Sequence, residues 1–345
     1  MNIKTQYYLP PEWEKQFAVM LTWPRANKLW DNYLAKIDQT YVQLVKHILP
    51  REKVLLTYFD EAHLQHIQSL LMQEKISTAA INFYKVKTDD VWMRDYGPLT
   101  VFADGHAKLL DFKFNAWGNK YPGSQDDVAT KKLHELKAFG EIAIESIDLV
   151  LEGGSIEVDG KGTLLTTSSC LLAKTRNPNL SREQLTEKLK NYLGLERILW
   201  LERGHLMGDD TDGHIDTLAR FVDPHTICHV SCDDPQDEHF SEIRAMVEEL
   251  KSFKDFEGRP YRLVALPWPR PHFKENGQRL PATYANFLII NGAVLMPTYD
   301  DPADALAIKQ LQVCFPDREI IGIPCNPVIN NYGSLHCITM QLPAF

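Results

Sequence analysis

Residues 99–112 read LTVFADGHAKLLDF: an apolar, β-branched run, the turn dipeptide Asp104-Gly105, and a second run of the same kind. Asp-Gly supplies the backbone angles that a two-residue turn demands, so the stretch predicts a β-hairpin. The design returns at 155–167 (SIEVDGKGTLLTT, turning at Asp159-Gly160), at 217–230 (TLARFVDPHTICHV, turning at Asp223-Pro224) and at 286–299 (NFLIINGAVLMPTY, turning at Asn291-Gly292). A fifth copy is needed to fill the length, and residues 45–60, VKHILPREKVLLTYFD, are expected to supply part of it.

Helical patterns lie between the hairpins. Ser181 with Gln184 forms a capping box that opens SREQLTEKLKNYL, Gly194 ends that helix, and Asp301 with Pro302 opens ALAIKQLQVCF. Strand pairs alternating with single helices predict an α/β fold, a ring of similar units. Periodicity alone fits equally well an ordinary mixed sheet whose hairpins recur by chance. No Pro/Gly/Ser-rich linker or charge block divides the chain, so residues 1–345 are expected to form a single domain.

The composition narrows the function. With 44% hydrophobic and 24% charged residues, the 345-residue chain has the material for a large core. A net charge of -9 with scattered acids disfavours nucleic acid and anionic membranes, which need clustered Lys and Arg, and suits a small cationic substrate. The N-terminal MNIKTQYYLPPEWEK lacks the apolar stretch of a secretion signal, and no apolar run is long enough to span a bilayer, so a cytoplasmic location is expected. The cysteines, at 170, 228, 232, 314, 325 and 337, are too irregularly spaced for a disulfide framework and are expected to be reduced thiols.

Short polar motifs stand just upstream of the first three hairpins: WMRDYGP at 92–98, LEGGS at 151–155 and GDDTDGHID at 208–216. In a ring of similar units these positions share one end, which would gather Asp95, Glu152, His214 and Asp216. The last segment, NPVINNYGSLHCITMQL, sets Cys337 after a small-residue loop and before a β-branched run, a place for an accessible thiol.

That set suits guanidine chemistry. A guanidinium is planar, cationic and a poor electrophile, and two carboxylates, here Asp95 and Asp216, can accept its fork of N–H donors. Holding the cation fixes its central carbon near the thiol and turns a bimolecular attack into an oriented one. A neighbouring imidazolium or the bound cation favours the thiolate of Cys337. His214 would give a proton to departing ammonia and take one from water, with Glu152 fixing the ring. No metal or organic cofactor enters this scheme, and no phosphate-loop or dinucleotide fingerprint is present.

WMRDYGP, LEGGSIEVDGKGTLLTT, DTDGHIDTLARF and YGSLHCIT together resemble, in kind and in order, the agmatine deiminase and bacterial-type peptidylarginine deiminase group. LTWPRANKLWDN at 21–32, FNAWGNKYPG at 114–123 and LPATYANFLIINGAVLMPTY at 280–299 are similar to its secondary motifs, so the resemblance runs nearly end to end. It implies the pentein fold, a five-bladed pseudo-symmetric α/β propeller of ββαβ units, and hydrolysis of agmatine to N-carbamoylputrescine and ammonia through an amidino-cysteine intermediate. Carried over motif by motif, it implies Cys337 as nucleophile, His214 as general acid/base, Glu152 as its partner, Asp95 and Asp216 as guanidinium clamps, and Trp92 as a wall of the substrate channel. It also leaves homodimerisation open. Before the cysteine the chain departs from the group's common run of three glycines and an asparagine, having Asn331-Tyr332-Gly333-Ser334 at the expected site entrance.

Each of these residues also has a plainer reading. A cysteine near a C-terminus is commonly a buried hydrophobe, and acids beside glycine commonly cap turns, as Asp209, Asp210 and Asp212 are expected to do. His336 adjoins Cys337, but alternation along a strand would point it away from the site. Cys228 and Cys232 with His225 and His229 suggest zinc, yet alternation would separate the thiols from His229, and no metal site is expected there. Trp117 reads as an ordinary aromatic outside its motif. Two other functions stay open: deimination of free or peptidyl arginine by the same chemistry, for which the missing secretion signal favours free agmatine instead, and a non-catalytic pentein scaffold.

Overall fold

The computed structural model describes residues 7–27 and 29–345. Residues 1–6, part of the N-terminal stretch read above, and Lys28, inside the 21–32 motif, lie outside the described residues.

All four expected hairpins form. Leu99–Ala103 pairs antiparallel with His106–Lys113, Glu157–Val158 with Thr163–Thr167, Ala219–Asp223 with Thr226–Val230, and Leu288–Ile290 with Ala293–Thr298. In each, the second strand takes a parallel neighbour on its far side: Ala143–Val150, Arg197–Leu201, Arg262–Leu266 and Glu319–Pro324 respectively. Parallel neighbours need a crossover, and the helices Ala129–Glu135, Arg182–Leu193, Phe240–Ser252 and Asp304–Cys314 lie in those four connections. The repeating unit is therefore a hairpin, a helix and a parallel strand.

The fifth sheet corrects the expectation for residues 45–60. Those residues hold the end of the helix Leu34–Ile48 and the strand Lys53–Tyr58, with no hairpin among them. The antiparallel pair is instead Gln16–Thr22 with Thr339–Pro343, strands from opposite ends of the chain, and Lys53–Tyr58 and Ile81–Lys85 continue the sheet in parallel. A search for two runs about a short turn could not find it, because no turn joins them. Among the described residues a two-stranded ribbon, His272–Phe273 with Arg279–Leu280, stands outside this scheme.

Local chemistry accounts for the helix ends. The helix Arg182–Leu193 carries the expected capping box between Ser181 and Gln184, and Gly194 closes it at φ 69°, a left-handed angle that glycine adopts without penalty. The helix Asp304–Cys314 forms without the expected opening at Asp301 and Pro302: its N-cap is Ala303, Asp301 accepts the amide of Ala303, and Asp304 turns back to accept from Tyr284 and Tyr299. The helix Leu34–Ile48 buries Ile37, Tyr41, Leu44, Val45 and Ile48, a stripe at helical spacing, the aliphatic members each worth about 1.5–3 kcal/mol of apolar burial. No described helix is long and apolar enough to cross a membrane, and all the cysteines are free thiols.

Candidate active site

The polar motifs ahead of the hairpins meet at one place. Asp95 sits in the single helical turn Met93–Tyr96, and its carboxylate accepts the indole N–H of Trp117 and the amide of Gly154, both at 3.0 Å. Trp117 reaches it from a left-handed conformation, φ 54°, uncommon for a bulky side chain. Glu152, just past the strand Ala143–Val150, is fully buried; one oxygen accepts Arg176 Nε at 3.0 Å. Its other oxygen lies 3.9 Å from His214 Nε2 and 3.9 Å from Cys170 Sγ.

His214 and Asp216 flank the start of the one-turn helix Ile215–Thr217. His214 Nδ1 stands 3.6 Å from Asp95 Oδ1, and neither ring nitrogen has a hydrogen-bond partner among the described residues. Asp216 Oδ1 is likewise buried without a partner among the described residues. Cys337 Sγ lies 3.9 Å from Asp216 Oδ2 and 3.4 Å from Asn286 Oδ1. Gly154 is the floor under this group: a Cβ there would come within 2.6 Å of His214 Nδ1, 2.9 Å of Asp95 Oδ1 and 3.0 Å of Asp216 Oδ2.

Trp92, Asp95 and Cys337 line a cleft of about 460 Å³ together with Trp117, Tyr121 and Tyr332, and Asp90 and Asp210 add further acids to its walls. No Lys or Arg lines it among the described residues. Trp92 is fixed by its indole N–H on Asp90 Oδ2 at 2.9 Å and by Gly333, where a Cβ would press into the ring at 2.2 Å. The unusual loop before the cysteine thus keeps the one glycine that Trp92 requires, while Tyr332, at φ 74°, lines the cleft beside it.

Burial and the clustered acids dominate the electrostatics of the site. Burial pushes Asp95 up to about 6, with Asp216 and Glu152 adding to the rise and His214 opposing it. Burial works against a charged His214, yet Asp95, Cys170 and Glu152 outweigh it and hold the ring well above its usual range. Burial also opposes ionised Glu152 and Asp216; His214 and Arg176 lower the first, and His336, His214 and Arg220 lower the second. Burial, then Asp216 and Asp95, push the Cys337 thiol well above an ordinary cysteine. The free site therefore holds a neutral thiol, a charged imidazolium and carboxylates.

Several sequence readings need correction. His336 does not face away: its Nδ1 lies 2.7 Å from Asp216 Oδ2, because residues 335–338 form turns and the strand begins only at Thr339, so alternation does not apply. Asp212 is more than a turn residue, since it pairs with Arg176 and with Lys120. Asp209 does cap its own turn, accepting from Thr211 and Gly213, whereas Asp210 accepts from Tyr121. Cys228 faces Cys314 at 3.2 Å, His225 pairs with Asp255, and His229 turns to the carbonyl of Val230.

Sequence reasoning assigns no site role to Arg176, Cys170, Asn286 or Glu12, Cys170 entering only as one of the irregularly spaced thiols. Asn286 lay within a quoted motif; the others carry no local signal, because their roles depend on partners far away in the chain. Glu152, Cys170 and His214 are the described donors close enough to share a metal ion, but Arg176 already balances Glu152 and burial raises the Cys170 thiol.

Residues 8–343 match the family model described as Porphyromonas-type peptidyl-arginine deiminase. The chain is 33% identical to the agmatine deiminase of Stutzerimonas stutzeri over 98% of this chain and 96% of that one. Among solved structures, a substrate-bound C. jejuni agmatine deiminase bearing a Cys-to-Ser substitution superposes with a TM-score of 0.90 at 39% identity, covering 98% of this chain and 96% of that one. A Porphyromonas gingivalis chain provisionally assigned as an arginine deiminase gives 0.91 at 45% identity, covering 98% of both. An amidinotransferase from Microseira wollei, at 13% identity and a TM-score of 0.52 over 98% of this chain and 97% of that one, shares the α/β fold alone.

Proposed function

The chain belongs to the Porphyromonas-type peptidyl-arginine deiminase family, and from that membership we propose that it is an agmatine deiminase, hydrolysing agmatine to N-carbamoylputrescine and ammonia with Cys337 as nucleophile. The carrying observation is the convergence of Asp95, His214 and Asp216 on the floor at Gly154, with Cys337 3.9 Å from Asp216.

In this reading the guanidinium lies between Asp95 and Asp216. Its charge offsets the carboxylates that hold the thiol protonated, and the Cys337 proton passes to solvent water, His214 being already charged. The thiolate attacks the central carbon, forming a C–S bond; His214, already charged, protonates the leaving nitrogen, and the C–N bond breaks with loss of ammonia. The ring, now neutral, takes a proton from water, and hydroxide adds to the amidino carbon. The C–S bond breaks as the adduct's hydroxyl proton passes to the departing sulfur, releasing the ureido product and restoring the Cys337 thiol and the charged ring. Arg176 holds Glu152, and Glu152 favours the charged ring at the first proton transfer.

Agmatine is preferred over arginine because of the cleft. Arginine would bring its α-carboxylate past Asp90 and Asp210 on walls that no described Lys or Arg lines. Of the cations beside those walls, Lys120 is held by the Asp210 carbonyl and Asp212, and Lys274 lies over the Tyr332 ring, whereas the amine of agmatine suits the acids. We also read the five three- and four-stranded sheets as the blades of a pentein propeller within a single domain spanning residues 1–345. The pairing of the two chain ends in one sheet supports that reading.

Ammonia release from agmatine, arginine and an arginyl peptide, in buffer containing a chelator, tests the proposal. Agmatine is expected to exceed both by roughly a hundredfold in kcat/KM, the effect of about 2.7 kcal/mol of discrimination. A folded sample that releases no ammonia from agmatine overturns it, and a preference for arginine moves the assignment to the sister activity.

A further inference from the structure

We infer that His336 is a positioning residue for the guanidinium clamp: it holds Asp216 Oδ2, the oxygen 3.9 Å from Cys337 Sγ, and so fixes the carboxylate against the nucleophile. The inference rests on the deiminase reading for what is bound, and it goes beyond that reading in naming what sets the clamp.

His336 is buried, and each of its ring nitrogens meets a carboxylate: Nδ1 lies 2.7 Å from Asp216 Oδ2, and Nε2 lies 2.8 Å from Glu12 Oε2. A neutral imidazole donates from one nitrogen only, so two such contacts require a second proton in the chain, on the ring or on a carboxylate. Asp216 Oδ1, by contrast, has no partner among the described residues although it is buried. A buried carboxylate oxygen without a donor is costly. Unless Oδ2 is held, the carboxylate can turn about its Cβ–Cγ bond and tilt its plane off the clamp's aim.

The far end of the chain is rigid. Glu12 Oε1 accepts the amide of Ile289 at 2.7 Å, and Glu12 Oε2 accepts Arg220 Nη2 at 2.9 Å. Arg220 is anchored in turn on Glu157 Oε2 and on the carbonyl of Phe287, each at 2.7 Å. Arg94 Nη2 stands 3.9 Å from the same Glu12 oxygen. His336 thus hangs from a buried ionic frame built by four separate stretches of chain. Its own amide donates to Asn286 Oδ1 at 2.9 Å, and the next residue's thiol lies 3.4 Å from that same oxygen. One turn therefore registers the clamp and the nucleophile against each other.

A merely packed core histidine would be judged by size and burial. A positioning histidine is judged by which nitrogen survives. Asn places an amide near the position of Nδ1 and keeps the donor to Asp216; Gln reaches toward the position of Nε2 and loses it. The experiment measures agmatine binding by calorimetry on a Cys337→Ala chain, which cannot turn the ligand over, with and without His336→Asn or His336→Gln. Asn is expected to change Kd by less than about threefold and Gln to weaken it by at least roughly tenfold, the scale of a charge-assisted hydrogen bond.

Any other pattern, equal effects from the two substitutions included, overturns the inference. Should the Gln chain not fold, the Asn chain decides alone on the same threefold limit. Ammonia release by the unsubstituted chain is measured in parallel: binding without release sinks the deiminase reading and leaves the Kd ratio to judge His336, whereas no binding by Cys337→Ala removes both.

Discussion

Arg176 Nε donates to Glu152 Oε1 at 3.0 Å, and neither side chain reaches solvent. The same guanidinium donates from Nη2 to the carbonyl of Thr211 at 2.9 Å and pairs through Nη1 with Asp212. It therefore ties the acid beside His214 to the loop that delivers His214. Removing one partner of a buried pair strands the other charge, which costs about 3–5 kcal/mol. Arg176→Met is expected to lose that much in a denaturant titration, with kcat falling further than KM rises. Arg176→Lys keeps a charge but loses the fork and should recover only part of either loss. Wild-type stability and turnover in Arg176→Met would contradict this account.

Gly154 makes a sharper test, because its backbone is not strained and only the space above it matters. A Cβ would sit 2.6 Å from His214 Nδ1 and 2.9 Å from Asp95 Oδ1, so ring and carboxylate must both shift. Displacements of about 1 Å cost on the order of a hundredfold in rate where reacting groups are held for attack. Gly154→Ala should therefore reduce kcat/KM at least about a hundredfold, and circular dichroism should report an intact fold. A near-normal rate would mean that the groups around Gly154 are not the reacting ones.

The pH dependence follows from Asp95. In the proposed clamp its carboxyl, pushed up by burial to about 6, must be ionised to hold a guanidinium, so protons and substrate would compete for it. Below about pH 6 the free site carries a protonated Asp95, and agmatine must displace that proton to bind. KM for agmatine should rise as pH falls through 6 and level off above it. A KM independent of pH between about 5 and 8 would argue that Asp95 is charged throughout and lies outside the clamp.

Much of this was legible in the sequence, and the missing parts share a cause. The Asp104-Gly105 and Asn291-Gly292 turns announce their hairpins because strand, turn and strand are contiguous, and Ser181 with Gln184 announces a helix for the same reason. The nearness of Asp95, Glu152, His214 and Asp216 in the fold is legible because each stands in a compact polar motif ahead of a hairpin. The fifth antiparallel pair stayed hidden because Gln16–Thr22 and Thr339–Pro343 come from opposite ends of the chain. Arg176 and Glu12 were hidden similarly: an isolated charge in a sequence reads as solvated surface, and only the folded chain supplies the buried partner. His336 escapes the alternation rule for a local reason, since it lies in turns before the strand starts at Thr339.

The state of Cys337 yields the last prediction. Burial, then Asp216 and Asp95, hold its thiol well above the ordinary range near 8.5, so at neutral pH the free protein should show no thiolate from this residue. A cation placed between the two carboxylates cancels the charges that oppose ionisation and should bring the thiolate within reach of neutral pH. The test uses a short alkylammonium ion, which carries the charge without an electrophilic carbon, and reads thiolate ultraviolet absorbance against a Cys337→Ser control. Saturating cation is expected to move the absorbance transition down by at least about one pH unit, corresponding to about 1.4 kcal/mol of interaction between ligand and thiolate. A transition already below neutrality in the free protein, or one that the cation leaves in place, would mean that the nucleophile is activated by its surroundings alone and that the substrate's charge takes no part.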